Sequence, residues 1–390
     1  MQAPRILKRR GLLRVSLAGA VVAGCAPRHE AAAPLVPVRA EIDRIIDISV
    51  CVRPFRPAGP RVETERLGDT LVVHNYGHGG SGWSLSWGSS ARAVRMAMEP
   101  GAREVAVIGC GILGLTSARL AQEAGARVTI YAREQLPLTT SARATGEWTP
   151  DSRIALASAA APGFPSVWEE MARTAFRTHR GYLGRPGQPV EWVDQYAITD
   201  DPPPPPRRPG PRPDGMRVDF ANYGNLIADL TPEWRRLPPG ATPFANATVA
   251  RSAIMIFNIP DYGRTLMSDF LAAGGRYLPA DFRTPAEIAA LGQKVVINCT
   301  GYGARDLWGD TTLVPVRGQI ARLIPQPEVR YGLVYRHVLT VPRRDGIVVQ
   351  SFVGGEAAGY GDSSEVPDRA QTEEAVRVLA GLFSPSHWVS

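Results

Sequence analysis

Residues 104–114, EVAVIGCGILG, set Gly109, Gly111 and Gly114 in a Gly-x-Gly-x-x-Gly spacing directly after a run of apolar strand residues. That spacing suits phosphate chemistry. The first glycine permits a tight turn, the second lets a pyrophosphate approach the backbone, and the third lets the following helix pack closely on the strand. The turn Gly109, Cys110, Gly111, Ile112, Leu113 and Gly114 then brings free amides and a partial positive charge to the anion. A ribose is held by an acid at the end of the next strand. Glu134 lies twenty residues past Gly114, with Arg133 before it. The fingerprint alone does not separate a nicotinamide from a flavin dinucleotide. The stretch YAREQLPLTTSARATGEWTP (131–150) favours the flavin. A flavin extends past the first strand–helix–strand unit and needs further donors and a close backbone approach. Thr139, Thr140, Ser141 and the Thr145-Gly146-Glu147 turn can supply both.

A second glycine-rich stretch, HNYGHGGSGWSLSWG (74–88), comes before the fingerprint. His74 and His78 invite a metal reading, but they are not on a helix and lack an adjacent Glu or Cys, so no metal site is expected. Gly79-Gly80-Ser81-Gly82-Trp83 lacks the last glycine of a hydrolase elbow. Cys25, Cys51, Cys110 and Cys299 are scattered with no Cys-x-x-Cys pair, which argues against a zinc centre and a disulfide framework. Cys110 and Cys299 read as small buried residues.

The elements that must position these groups follow from periodicity. Residues 104–109 form a buried strand, the segment from Leu115 to Ala121 a helix stopped by Gly125, and RVTIYA (127–132) a second strand. Downstream, 262–275 and 370–383 read as helices, and 294–301, 317–323 and 345–355 as strands. PPPPPRRPGPRP (202–213) admits neither helix nor central strand and is expected to be an exposed loop. The fold class is α/β: a Rossmann-type dinucleotide domain plus a substrate domain with a mixed or antiparallel sheet.

With 390 residues, 44% of them apolar, the chain has material for two domains. Of its 44 basic residues only Lys8 and Lys294 are lysine. The arginines are spread along the chain instead of forming a basic stripe interleaved with aromatics, so no nucleic-acid partner is expected. KRRGLLRVSLAGAVVAGC (8–25) has paired Arg9 and Arg10, a short apolar run and a Val-Ala-Gly-Cys end. The run is too short to span a bilayer and fits an export signal. The twin arginine resembles a Tat signal and the end a lipobox, which implies lipidation of Cys25, membrane anchoring and a bacterial envelope location. A plain cleaved signal is the alternative.

Beyond these motifs, the chain resembles the D-amino-acid oxidase family of FAD enzymes. The resemblance rests on 131–150, VVINCTG (295–301), RGQI (317–320), VRPFRPAGPRVETE (52–65) and, most specifically, HNYGHGGSGWSLSWG. It implies FAD as cofactor, a small D-amino acid as substrate and O2 as acceptor, giving an imino acid and hydrogen peroxide. It also implies site roles. Arg53 takes the carboxylate-binding position, and Tyr262 resembles a tyrosine that supports that carboxylate. Gly80 offers its carbonyl to the substrate amine, while Gly79, Ser81, Gly82, Trp83 and Ser84 lie against the flavin. No partner for a lid tyrosine is found. Where the family has an acid for the ribose, Arg133 stands, and Glu134 is the substitute.

The order of segments departs from the family, in which the arginine strand and glycine loop come last. Circular permutation accounts for this where the joined ends lie close together on the surface. The expected organisation is a signal (1–25), a tether (26–47), the permuted strand and loop (48–90), a linker (91–103), the FAD core (104–180), a substrate domain (181–290), a return to the FAD domain (291–320), and closing substrate-domain strands and helix (321–390). The alternatives left open are an acidic-D-amino-acid or glycine-type oxidase or dehydrogenase, and a flavin-binding envelope protein without turnover.

Overall fold

A computed structural model describes residues 35–99, 101–201 and 218–389. The signal with Cys25, the first part of the tether and the proline-rich loop 202–213 lie outside the described residues. The chain opens with β1 (Ile45–Phe55), β2 (Arg61–Leu67), β3 (Thr70–Tyr76) and α1 (Gly82–Met98). The dinucleotide unit follows: β4 (Glu104–Ile108), α2 (Ile112–Glu123) and β5 (Arg127–Ala132). Next come α3 (Phe164–Arg180), β6 (Val190–Asp200), β7 (Arg235–Arg236), β8 (Ala247–Phe257), α4 (Ile259–Ala272), β9 (Arg276–Pro279) and α5 (Pro285–Ala289). The remainder is β10 (Val295–Asn298), α6 (Ala304–Leu307), β11 (Val314–Leu323), β12 (Tyr331–Tyr335), β13 (Val338–Arg343), β14 (Gly346–Ser351) and α7 (Arg369–Leu382).

These strands make two sheets. One has the order β2-β3-β10-β4-β5-β9, the other β1-β11-β14-β13-β12-β6-β8-β7. In the first, β3, β10, β4, β5 and β9 run parallel, with β2 antiparallel at the edge. Its central strands are continuous apolar runs because helices cover both faces: β10 (VVIN) is buried throughout. The second sheet is antiparallel except where β12 runs parallel to β6. This is the α/β class with a mixed second sheet that the sequence implies.

The segments before the fingerprint are built into both sheets. β1 pairs with β11 from Ile45↔Leu323 to Phe55↔Val314, and β3 pairs with β10 from Leu71↔Val295 to His74↔Asn298. A buried polar cluster locks β3 to α1 and α2: Asn75 Nδ2 donates to Ser90 Oγ and to Ser117 Oγ, each at 3.2 Å. Small residues let α1 come close to α3. A Cβ on Gly88 would stand 1.9 Å from the Met171 carbonyl.

Three boundaries differ from the expectation. Residues 35–47 are not a free tether: Val38 and Ala40 are buried in the core of the second sheet, and β1 begins at Ile45. The proposed linker is mostly helix, because the apolar stripe Ala93, Val94 and Ala97 carries α1 to Met98. Part of the segment assigned to the substrate domain belongs with the dinucleotide sheet. There β9 pairs with β5, and α4 buries Leu266 and Phe270 in the core shared with α2.

Candidate functional site

A cavity of about 780 Å³ lies where the two sheets meet, and the fingerprint forms one end of it. Gly109 has φ +103°, and a Cβ there would stand 2.5 Å from the Cys299 carbonyl. Helix α2 starts from Gly111, which has no side chain of its own to cap it, and its first turn has anion-binding character. Gly109, Cys110, Gly111, Ile112 and Leu113 line the cavity. Gly114 lies off the lining and serves packing: its Cβ would fall 2.0 Å from the Gly109 carbonyl oxygen. Ser141 fixes the turn in place. Its Oγ accepts from the Ile112 amide at 3.1 Å, and its carbonyl accepts from Trp83 Nε1 at 2.8 Å. Beyond β5, Arg133 and Glu134 line the same cavity and form an ion pair with each other at 3.7 Å.

The 131–150 stretch lines the middle of the cavity with Thr139, Thr140, Ser141, Thr145, Gly146 and Glu147. Gly146 (φ +92°) lets the chain turn 2.8 Å from the Phe257 carbonyl, measured to a Cβ built on it. Thr145 Oγ1 donates to Gln350 Oε1 at 2.7 Å. Glu147 Oε1 accepts from Gln195 Nε2 at 2.7 Å, and burial pushes its carboxyl up to about 7.

The early segments form the other end. Arg53, Gly79, Gly80, Gly82 and Trp83 line the cavity. Arg53, on edge strand β1, donates to the Arg317 carbonyl at 3.1 Å. Its guanidinium lies over Gly318, where a Cβ would stand 2.2–2.3 Å from the guanidinium atoms. Gly318, inside the RGQI stretch, thus makes the room that Arg53 occupies. The glycine loop is pinned on both sides: the Gly79 amide donates to the Pro54 carbonyl at 2.8 Å and the Gly80 amide to the Ser152 carbonyl at 3.0 Å. His78 also faces the cavity. Ser89 Oγ donates to Asn75 Oδ1, so His78 Nε2 donates to Ser89 at 2.7 Å. That leaves His78 Nδ1 a buried acceptor with no partner among the described residues, and burial lowers the ring to about 3. His74 bonds Glu65 and Asn298. Both histidines therefore have places in the protein's own bonding scheme.

Besides Gly114, three expected residues are not brought to the cavity. Helix α4 begins at Ile259, earlier than expected, which puts Tyr262 inside it and facing the core. Its hydroxyl accepts from Trp87 Nε1 and donates to His179 Nδ1, both at 2.9 Å, because His179 Nε2 donates to the Trp83 carbonyl. It therefore braces α1 against α3 and lies outside the lining. Ser81 Oγ donates to the Ser152 carbonyl at 2.9 Å. Ser84 Oγ accepts from the Thr149 amide at 2.8 Å. Both serines turn away from the cavity to tie the glycine loop to residues 147–152.

Other lining residues carried no sequence signal, chiefly Arg153, Ser152, Thr300, Tyr302, Gln350 and Phe352. Arg153 adopts φ +51°, rare for a residue with a side chain.

The residues present fit FAD: a glycine turn at a helix N-terminus, an acid past β5, a hydroxyl-lined middle and an orphaned buried acceptor at His78. Comparison with known proteins agrees. The sequence model of the family described as FAD dependent oxidoreductase matches residues 104–389. A D-amino-acid oxidase from Streptomyces coelicolor is 33% identical over 237 residues, 59% of this chain and 62% of that protein. A D-amino-acid oxidase from Rubrobacter xylanophilus is 29% identical over 286 residues, 71% of this chain and 76% of that protein. A D-aspartate oxidase from Talaromyces thermophilus is 24% identical over 295 residues, covering 70% and 75%. The match to the Streptomyces protein thus spans under two thirds of that protein's length.

Proposed function

The chain belongs to the FAD-dependent oxidoreductase family, and from that premise we propose that it oxidises a D-amino acid with O2 as acceptor. The overall reaction takes D-amino acid, O2 and water to 2-oxo acid, ammonia and hydrogen peroxide. Bound FAD supplies the two-electron acceptor for the substrate Cα–H. The protein's part is orientation and electrostatics. Arg53 holds the α-carboxylate with parallel N–H donors, which a planar guanidinium does better than an ammonium. Gly80 approaches the amine without a side chain in the way. The α2 N-terminus receives the diphosphate, and Glu134 the ribose. Glu147, with its carboxyl near 7, takes or returns a proton near neutral pH.

One observation carries the reading: Arg53, the Gly79-Gly80 loop and the Gly109–Leu113 turn line a single cavity. Oxygen uptake and peroxide release on a panel of D- and L-amino acids test it. Turnover confined to D-enantiomers is the expected result. A yellow protein that turns over none of them is a flavin-binding protein of another role.

We further propose that the segment order is a circular permutation. The family match begins at residue 104, whereas β1 and β3 lie inside the same two sheets as the matched strands. A gene with 104–389 placed ahead of 45–98 should give a flavin-loaded, active protein. Export with lipidation of Cys25 belongs to the same proposal. Cys25→Ala should move the protein from the membrane fraction to the soluble one.

A further inference from the structure

The segment joining β14 to α7 crosses the mouth of the cavity at its substrate end. Phe352, Gly355 and Glu356 line the cavity, while Val353, Gly354, Gly355 and Glu356 are exposed. This stretch is thus a wall one chain thick, with the cavity on one side and solvent on the other. Its two ends are fixed. The Phe352 amide donates to the His337 carbonyl at 2.9 Å. At the far end the Arg317 amide donates to the Gly359 carbonyl and the Gly361 amide to the Pro315 carbonyl, each at 2.8 Å. The Tyr360 ring there packs against Phe55 and Phe220. Between these anchors the turn bonds to itself, from the Gly355 amide to the Phe352 carbonyl and from the Ala358 amide to the Gly355 carbonyl. Among the described residues, one hydrogen bond ties 353–358 to a segment outside 351–360: Arg153 Nε donates to the Glu356 carbonyl at 2.8 Å.

Arg153 is a fixed post for that bond. Its backbone sits at φ +51°, and its carbonyl stands 1.9 Å from a Cβ built on Gly79, so it cannot shift without moving the Gly79-Gly80 loop. Its Nη1 donates to Ser152 Oγ at 3.1 Å, and the Glu356 carboxylate adds its attraction to the same guanidinium. The turn, by contrast, is jointed on both sides. Gly354 (φ +86°) and Gly355 (φ +69°) stand at the β14 end and Gly359 (φ +78°) at the other. Glycine reaches other backbone conformations at little steric cost, and a few such residues absorb the change when a loop opens. We infer that residues 353–358 are a lid on the substrate end of the cavity, latched shut by Arg153 through Glu356. Entry of substrate and departure of product then wait on release of this latch. The inference goes beyond the oxidase reading and borrows from it only the carboxylate site at Arg53, which supplies the probe.

Butyrate carries the carboxylate without the amine and so binds without turnover. Stopped-flow mixing of the FAD-loaded protein with butyrate, followed by flavin absorbance, gives the association and release rates. A charged hydrogen bond corresponds to on the order of 10- to 100-fold in an equilibrium, so Arg153→Met should open the lid and speed association about 10-fold or more. Loss of the positive charge alone would slow the entry of an anion, so the sign separates a latch from simple attraction. Val353→Gly changes no charge, lies outside the lining and adds a further joint. It should speed association and release alike by roughly two- to fivefold and leave Kd unchanged. Hydrogen–deuterium exchange reads the same event without a ligand: amides of 353–358 should exchange faster in Arg153→Met than in the wild type, and those of 359–362 equally. Slower or unchanged association in Arg153→Met together with wild-type rates in Val353→Gly overturns the inference, and so does equal exchange of the turn in both proteins. If Arg153→Met sheds its flavin, the Val353→Gly rates decide. A wild-type flavin that butyrate never perturbs refutes the carboxylate site at Arg53, while amide exchange still decides the lid.

Discussion

Replacing Glu147 by glutamine should change how stability depends on pH, and the structure sets both sign and size. The carboxyl lies within the cavity wall, accepts one hydrogen bond from Gln195, and is raised from its ordinary 4.5 to about 7 by burial. A carboxyl raised in the folded state binds its proton more tightly there than in the unfolded chain. Its contribution is therefore fully present below about pH 4.5 and is lost as pH rises through about 7. At roughly 1.4 kcal/mol per pH unit the loss is about 3 kcal/mol at most. Glutamine cannot ionise and can still accept from Gln195. The variant should match the wild type near pH 4.5 and exceed it by up to that amount above pH 8. Urea denaturation of both proteins across this range, at one fixed FAD concentration, measures the difference. Other shifted groups cancel in that comparison: Asp151, also raised by burial, and His78 and His179, lowered by burial, are present in both proteins. Parallel stability curves for the two proteins would refute the reasoning.

Further substitutions probe the two ends of the cavity and the displaced tyrosine. Gly318→Ala puts a methyl where the Arg53 guanidinium lies. It should raise KM for the amino acid about 10- to 100-fold, the worth of a charged hydrogen bond, while flavin content stays unchanged. Gly109→Ala combines φ +103° with a 2.5 Å approach to the Cys299 carbonyl. It should yield protein depleted of FAD, read from the ratio of flavin to protein absorbance. Tyr262→Phe strands the Trp87 donor and the His179 acceptor. It should cost about 1–3 kcal/mol of stability and leave kcat/KM close to wild type, because the hydroxyl lies outside the cavity.

The sequence was legible where local rules act alone. The two strands of the fingerprint unit fall within a residue of their expected bounds and the helix between them begins three residues early, at Ile112, since glycine spacing and apolar runs are decided by nearest neighbours. Arg53 and the Gly79-Gly80 loop were found through a resemblance, because nothing in local spacing tells one arginine among many that it faces a cavity. Tyr262 was misplaced by one helical turn. The helix starts at Ile259 with Pro260 in its first turn, which swings the hydroxyl into the core. The resemblance places Ser81 and Ser84 against the flavin, yet each has a backbone partner in the 147–152 segment, a pairing visible only in three dimensions. Arg153 gave no signal at all. Its left-handed backbone and its contact with Gly79 arise from two segments over seventy residues apart.

The central claim is that one cavity, built from segments on both sides of the fingerprint, brings an amino-acid carboxylate at Arg53 to a flavin at Gly109–Leu113. Anaerobic titration of the purified yellow protein tests this most directly. D-amino acids, and not their L-enantiomers, should bleach the flavin absorbance, and Arg53→Met should retain the flavin but lose the bleaching at the same substrate concentration. A flavin that no D-amino acid reduces, or an Arg53→Met protein bleached as readily as the wild type, would contradict the account.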